Sequence, residues 1–164
     1  MITQERLKEI LDYNPETGDF VWRVTLSNKV VAGSVAGSAT SQGYLRITIG
    51  ETEYRAHRLA WLYVHGEWPK RQIDHINRDK TDNRIANLRD VSASVNCANR
   101  GHQNKTGLRG ARRNFNGRFQ SAIKQCGKMK HLGYFDTAEE AHEAFKRAHI
   151  AIYGANSEYY EVAA

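Results

Sequence analysis

Residues 71–96 open with Arg71-Gln72-Ile73-Asp74-His75-Ile76, continue through Asp82-Asn83-Arg84-Ile85-Ala86-Asn87-Leu88-Arg89, and close on Ser92-Ala93-Ser94-Val95-Asn96. Two short apolar runs, Ile73 to Ile76 and Leu88 to Val91, flank a polar loop, and Ser92 then offers an N-cap for a helix reaching about Arg100. The spacing predicts a strand, loop, strand, helix unit. Asp74 and His75 lie side by side in the first strand, an unfavourable place for a carboxylate and an imidazole unless both are used. Neighbours on a strand point to opposite faces, so these two cannot grip one ion together as a helical His-x-x-x-His pair would. They need separate jobs. The chemically sensible division gives Asp74 to a hard cation, with the Asn96 amide oxygen as a second ligand from the facing helix, and makes His75 the general base on a water.

Upstream, Thr3 is positioned to cap a helix carrying Leu7, Ile10 and Leu11 on one face, with Ile2 stapled onto Leu7 and Asn14-Pro15-Glu16-Thr17-Gly18 ending it. From Asp19 to Ala56 the apolar period becomes two (Phe20, Trp22, Val24, then Leu45, Ile47, Ile49), which reads as a small antiparallel sheet. His57 to His65 returns to helical spacing, stopped by Gly66. Trp22, Trp61 and Trp68 read as core, His57 as a packed or hydrogen-bonded histidine, and Cys97 as packed. Asn77, Asp79, Asp82 and Asn83 resemble a metal loop in composition but lack its spacing, so they read as turn residues.

The chain has 164 residues, 26% of them charged and 40% apolar, with two prolines, a balance that excludes a disordered tail and a membrane protein. No run approaches the roughly 18 apolar residues of a membrane span. Met1-Ile2-Thr3-Gln4-Glu5 starts a polar helix instead of a secretory leader, so export is not expected. The two cysteines, Cys97 and Cys126, form no Cys-x-x-Cys pair, which argues against a thiolate zinc site and fits a reducing interior.

The net charge of +6 is uneven. Between Gly101 and Phe135 stand Lys105, Arg109, Arg112, Arg113, Arg118, Lys124, Lys128 and Lys130 with no acidic residue, the signature of a solvated loop or of a face that binds a polyanion. In the same block Leu108 to Arg113, Gly117 to Lys124 and Lys128 to Phe135 read as three strands, and Asp136 or Thr137 caps a helix through Ile152. Ala138, Ala141, Phe145, Ala148 and Ile152 form its inner side, while His65, His142 and His149 default to the surface or to a helix face. Alternation turns Phe119, Ser121 and Ile123 inward and leaves Arg118, Gln120, Ala122 and Lys124 on an open basic face.

The strand, loop, strand, helix stretch, together with Ala56-His57-Arg58-Leu59-Ala60-Trp61 and Glu67-Trp68-Pro69 upstream, resembles the HNH nucleases, in particular the phage and intron homing endonucleases with a ββα-metal site. That resemblance implies Asp74 and Asn96 as ligands of one Mg²⁺ or Mn²⁺ per site, His75 as the base, and Asn87 as the brace of the loop that helps hold the histidine's backbone. Asparagine stands where the family's third histidine is usual, which leaves open whether Asn99 or His102 contributes as well. Residues from about Thr106 to Tyr160, carried by Leu108-Arg109-Gly110-Ala111-Arg112, Gly117-Arg118-Phe119 and Leu132-Gly133-Tyr134-Phe135-Asp136-Thr137-Ala138, resemble the apetala/ethylene-response-factor DNA-binding domain. Its sheet lies in the major groove, which implies that Arg109, Arg112, Lys124 and His131 contact DNA, with Arg118 and Gln120 on the same sheet.

The sequence therefore predicts an α+β chain: an HNH nuclease domain over 1–100 with its ββα-metal core at about 70–100, a linker at 101–107, and a three-stranded antiparallel sheet packed on one helix over 108–160. The expected activity is metal-dependent hydrolysis of DNA phosphodiester bonds, nicking one strand to leave 5′-phosphate and 3′-hydroxyl ends. Double-stranded DNA is the expected partner of a monomer that needs no membrane and no small-molecule cofactor. The resemblance implies a phage or mobile-element gene acting in a bacterial cytoplasm. The rival reading is a DNA-binding regulator whose nuclease module is degenerate.

Overall fold

The computed structural model describes residues 1–99, 105–125, 127–154 and 157; Arg100, most of the expected linker, His102, Cys126 and the rest of the segment after Gly154 lie outside them. The chain divides into two compact units, Met1–Asn96 and Cys97–Ala164. Both mix helices with small antiparallel sheets, as an α+β chain should. No helix among the described residues is long and apolar enough to cross a membrane.

In the first unit, α1 (Gln4–Ile10) starts where the Thr3 hydroxyl accepts the Arg6 N–H at 3.3 Å. It ends one residue earlier than its apolar stripe suggests. Leu11 leaves the helix to begin β1 (Leu11–Tyr13), which pairs with β2 (Phe20–Trp22) in the register Leu11↔Trp22 and Tyr13↔Phe20. Extended chain buries Leu11 and Tyr13 together and leaves Asp12 in solvent. Asn14 helps form the intervening turn through its side-chain oxygen, which accepts the Glu16 N–H at 2.9 Å.

The region expected as one sheet makes two. Strand β2 pairs with β3 (Val35–Ala36), and a separate sheet holds β4 (Ser38–Ala39), β5 (Leu45–Ile49) and β6 (Thr52–Arg55). Helix α2 (Ala56–His65) buries Leu59, Ala60 and Leu62 and is stopped by Gly66, whose φ of 78° is the left-handed value a glycine adopts without penalty. The antiparallel pair β7 (Gln72–His75) and β8 (Leu88–Val91) and the short α3 (Ala93–Ala98) follow. One apolar core joins these elements through Leu7, Phe20, Trp22, Ile47, Leu59 and Leu88, with Trp61 and Trp68 half-buried against it. Cys97 is exposed, not packed as expected, since the short helix presents it to solvent.

The second unit is a sheet in the order β11-β10-β9, formed by β9 (Ala111–Arg113), β10 (Phe119–Gln125) and β11 (Lys128–Phe135), with α4 (Ala138–Tyr153) against one face. Thr137 and Glu140 cap α4 reciprocally: the Thr137 hydroxyl accepts the Glu140 N–H at 3.1 Å and the Glu140 carboxylate accepts the Thr137 N–H at 3.3 Å. The first strand begins at Ala111 and not at Leu108. Gly110 turns the chain there with φ 77°, and the Thr106 hydroxyl donates to the Ala111 carbonyl at 2.8 Å. Helix α4 buries Ala141, Phe145 and His149, a stripe at i, i+4 and i+8, while Ala148 and Ile152 are half-buried. His149, expected at the surface, is 2% exposed and shares a hydrogen bond with the Ser157 hydroxyl through Nδ1 at 2.7 Å.

Candidate active site

The register of β7 against β8 sets the site. Asp74 faces Arg89 and His75 faces Leu88, so the two adjacent polar residues look to opposite sides of a two-stranded ribbon. Both are buried.

On one side, the His75 ring nitrogen Nε2 lies 3.2 Å from the Asn83 side-chain oxygen. The Asn83 amide nitrogen is committed to the Thr81 carbonyl at 3.1 Å, so its oxygen must face the imidazole. His75 therefore donates from Nε2, and in the neutral ring Nδ1 is the basic nitrogen. Burial holds the His75 pKa below the ordinary histidine value, opposed by the Asn83 hydrogen bond and by the nearby Asp74 charge. The ring is thus neutral at pH 7, the form a general base requires. Tyr44 and His57 wall it in, at centroid distances of 6.0 and 5.1 Å, with His57 edge-on at 82°. Burial first, and then the proximity of His75, push His57 down to about 3.

Asn83 is placed by distant parts of the unit. Its carbonyl accepts the Tyr13 hydroxyl at 2.7 Å across 70 positions of chain, and burial raises that phenol to about 12, so it stays a donor. A Cβ on Gly18 would come within 2.5 Å of the Arg84 nitrogen and 2.7 Å of the Asn83 carbonyl carbon. The sequence reading made Asn83 a turn residue. Its inward orientation depends on Tyr13 and Gly18, and no local pattern announces it.

Asn87 braces the loop. Its side-chain oxygen accepts the Asn77 N–H at 3.0 Å, while its amide nitrogen donates to the Asn77 side-chain oxygen at 3.0 Å and to the Asp82 carbonyl at 2.8 Å. Its own carbonyl accepts the Ile76 N–H at 2.9 Å, one residue past His75. Beside it, Arg78 adopts a left-handed φ of 68° and donates its N–H to the His75 carbonyl at 3.0 Å. A long side chain in that conformation carries strain of order 1 kcal/mol, kept here next to the imidazole.

On the other side of β7, the Asp74 carboxylate accepts from Arg89 Nε at 2.9 Å and Nη2 at 2.8 Å. Gln72, two residues earlier and on the same face, accepts the Asn96 amide N–H at 2.8 Å. Asp74 and Asn96 are each held by a different partner, Arg89 and Gln72. Their oxygens, one carboxylate and one amide, suit a hard divalent ion and are too few to enclose it, so water or phosphate oxygens would complete its shell. No group of three or more His, Cys, Asp or Glu that could hold a metal occurs among the described residues. Asn99 belongs to the second unit, and His102 lies outside the described residues.

In the second unit, β10 alternates as expected: Ser121 and Ile123 are buried, and Gln120, Ala122 and Lys124 look away from α4. Their register partners are Arg112 and Tyr134 for Gln120, His131 for Ala122, and Met129 for Lys124. This gathers Arg112, Gln120, Lys124 and His131 on one open face, which carries a hollow of about 600 Å³ lined by residues including Lys105, Arg112, Arg113, Gln120, Ala122 and Met129. Arg118 is exposed and paired with Asp136 at 3.0 Å. Arg109 is not gathered with them. Its guanidinium lies over the Phe145 ring of α4 at 5.5 Å, and its carbonyl meets His142 Nδ1 at 2.7 Å.

The buried His75 imidazole and Asp74 carboxylate thus lie on opposite faces of one strand of a strand, loop, strand, helix unit. Residues 54–98 match the family model for HNH endonuclease, HNH_3. A solved structure, "DNA binding and cleavage by the HNH homing endonuclease I-HmuI", is similar with a TM-score of 0.43 and 21% identity, covering 82% of this chain and 76% of that chain. No curated protein matches the chain.

Proposed function

We propose that the protein is a divalent-metal-dependent DNA endonuclease in which the first unit cuts and the open basic face of the second unit holds the duplex. The observation that carries this reading is the His75 imidazole, buried, with Nε2 hydrogen-bonded to the Asn83 side-chain oxygen, inside the segment that matches the HNH endonuclease family. His75 Nδ1 takes a proton from water as the water oxygen bonds to phosphorus. The bond from phosphorus to the 3′-oxygen breaks, and that oxygen leaves with a proton from solvent, giving 5′-phosphate and 3′-hydroxyl ends. Asn83 fixes the tautomer and the plane of the base, and Asn87 holds the loop that carries both. A divalent ion gripped by Asp74 and Asn96 would supply countercharge to the phosphate as that bond breaks. With one base and one ion site per chain, a monomer nicks one strand.

On the second unit, Arg112, Lys124 and Lys105 supply phosphate contacts, while Gln120 and His131 reach base edges. The test is nicking of supercoiled plasmid with Mg²⁺ or Mn²⁺ and its abolition by EDTA. Nicks that DNA ligase reseals carry 5′-phosphate and 3′-hydroxyl ends. His75→Ala should bind DNA with unchanged affinity and lose nicking by more than about a hundredfold. Nicking that persists in His75→Ala, or its absence from the wild type with either metal, refutes the reading.

A further inference from the structure

The Tyr44 ring, which stands 6.0 Å from His75, carries two cations: Lys80 Nζ at 4.8 Å and the Arg55 guanidinium at 5.5 Å from its centroid. Gln42 ties both down, its carbonyl accepting from Lys80 Nζ at 2.8 Å and its side-chain oxygen from Arg55 Nη2 at 3.4 Å. Neither cation has a carboxylate partner among the described residues. Three other arginines of the unit do have one. Arg46, which faces Arg55 directly across β5 and β6, is neutralised by Glu53 at 2.7 Å; Arg84 has Asp82 and Arg89 has Asp74.

Two like charges held over one ring repel each other, which offsets part of what each gains from the ring face. An anion with several oxygens beside them relieves that repulsion. We propose that Arg55 and Lys80, set on Tyr44, hold a DNA backbone phosphate next to the bond that His75 attacks. This rests on the nuclease reading, because it is the DNA substrate that supplies the phosphate. The Tyr44 ring stands against the imidazole and also carries both cations, so one rigid group would register the phosphate against the base. Arg55 also ends β6 at the entry to α2, where Ala56 and His57 are buried, so its backbone cannot drift relative to the site.

The test is binding of a fluorescein-labelled duplex in EDTA, followed by anisotropy between about 50 and 200 mM KCl. Removing one phosphate contact should make the slope of log Kobs against log salt shallower by about 0.9. The Arg55→Gln/Lys80→Gln protein should show that change, and Arg6→Gln, whose cation is tied to Glu9 at 2.6 Å, should not. Lys80→Gln alone alters only an exposed side chain and should give part of the effect, and Lys80→Arg should restore it. In nicking assays the double variant should raise KM for DNA severalfold more than it lowers kcat. An unchanged slope in both the double variant and Lys80→Gln overturns the clamp. Absence of His75-dependent nicking in the wild type overturns the nuclease reading instead, a separate failure that the slope measurement does not share.

Discussion

His57 should make the first unit sensitive to mild acid. The imidazole is 8% exposed, its Nδ1 has no hydrogen-bond partner among the described residues, and it is pushed down to about 3 in the folded chain, principally by burial. Unfolded, it regains the ordinary value of about 6.5. Below that value the unfolded chain binds a proton that the folded chain refuses, so stability is full above about pH 6.5 and falls as the pH drops toward 3. Each pH unit in the window is worth about 1.4 kcal/mol, so by about pH 5 this one side chain removes roughly 2 kcal/mol. Other groups titrate over the same range, and a comparison isolates the effect. Urea unfolding followed by tryptophan fluorescence, at about pH 7.5 and about pH 5, should show wild type losing roughly 2 kcal/mol more than His57→Phe, which keeps a ring in the cage and cannot be protonated. Equal losses in the two proteins would mean that His57 is hydrated or protonated in the fold, and the account of a neutral cage around His75 would fail with it.

Gly18→Ala should destabilise the first unit by more than about 2 kcal/mol in a thermal melt, because φ is 80° and the new Cβ would meet the backbone of Asn83 and Arg84, which cannot swing aside. The same change should impair nicking in whatever fraction stays folded, since Asn83 would shift from His75. Gly110→Ala should destabilise the second unit, where a Cβ would fall 2.2 Å from Phe145 Cγ at a φ of 77°, and should weaken DNA binding without changing the single-turnover nicking rate at saturating DNA.

Much of this architecture is legible in the chain because it is local. The apolar spacing and Gly66 define α2, Thr137 and Glu140 define the start of α4, and strict alternation from Gln120 to Lys124 separates the covered face of the sheet from the open one. The strand pair that carries Asp74 and His75 is legible for the same reason. What escapes is set by partners far along the chain. Leu11 reads equally well as the last residue of a helix face or the first of a strand, and pairing with Trp22 decides. Asn83 looks like any turn asparagine until Tyr13 takes its carbonyl. Arg109 reads as one more cation of a basic strand, but the chain reverses at Gly110, leaving it over Phe145. His149 turns inward to meet Ser157, which lies beyond the end of its helix.

The ion pair between Asp74 and Arg89 decides which of the two proposed ligands is the better probe of the metal. Both partners are largely buried, with side-chain exposures of 7% and 16%. Asp74→Asn takes from the guanidinium the carboxylate paired with it in a poorly hydrated place, a loss of about 3 kcal/mol that has nothing to do with catalysis. Inactivity in that variant would therefore be ambiguous. Asn96→Ala removes only an exposed hydrogen bond to Gln72, so its melting temperature should stay close to that of wild type, with a loss of no more than about 1 kcal/mol. If Asn96 is a ligand, titration calorimetry with Mn²⁺ in the presence of a DNA duplex should show affinity falling by about tenfold or more in Asn96→Ala with the fold intact. Unchanged Mn²⁺ affinity in a fully folded Asn96→Ala would remove the amide from the metal's shell, and leave Asp74, already engaged by Arg89, without the partner that the proposed site requires.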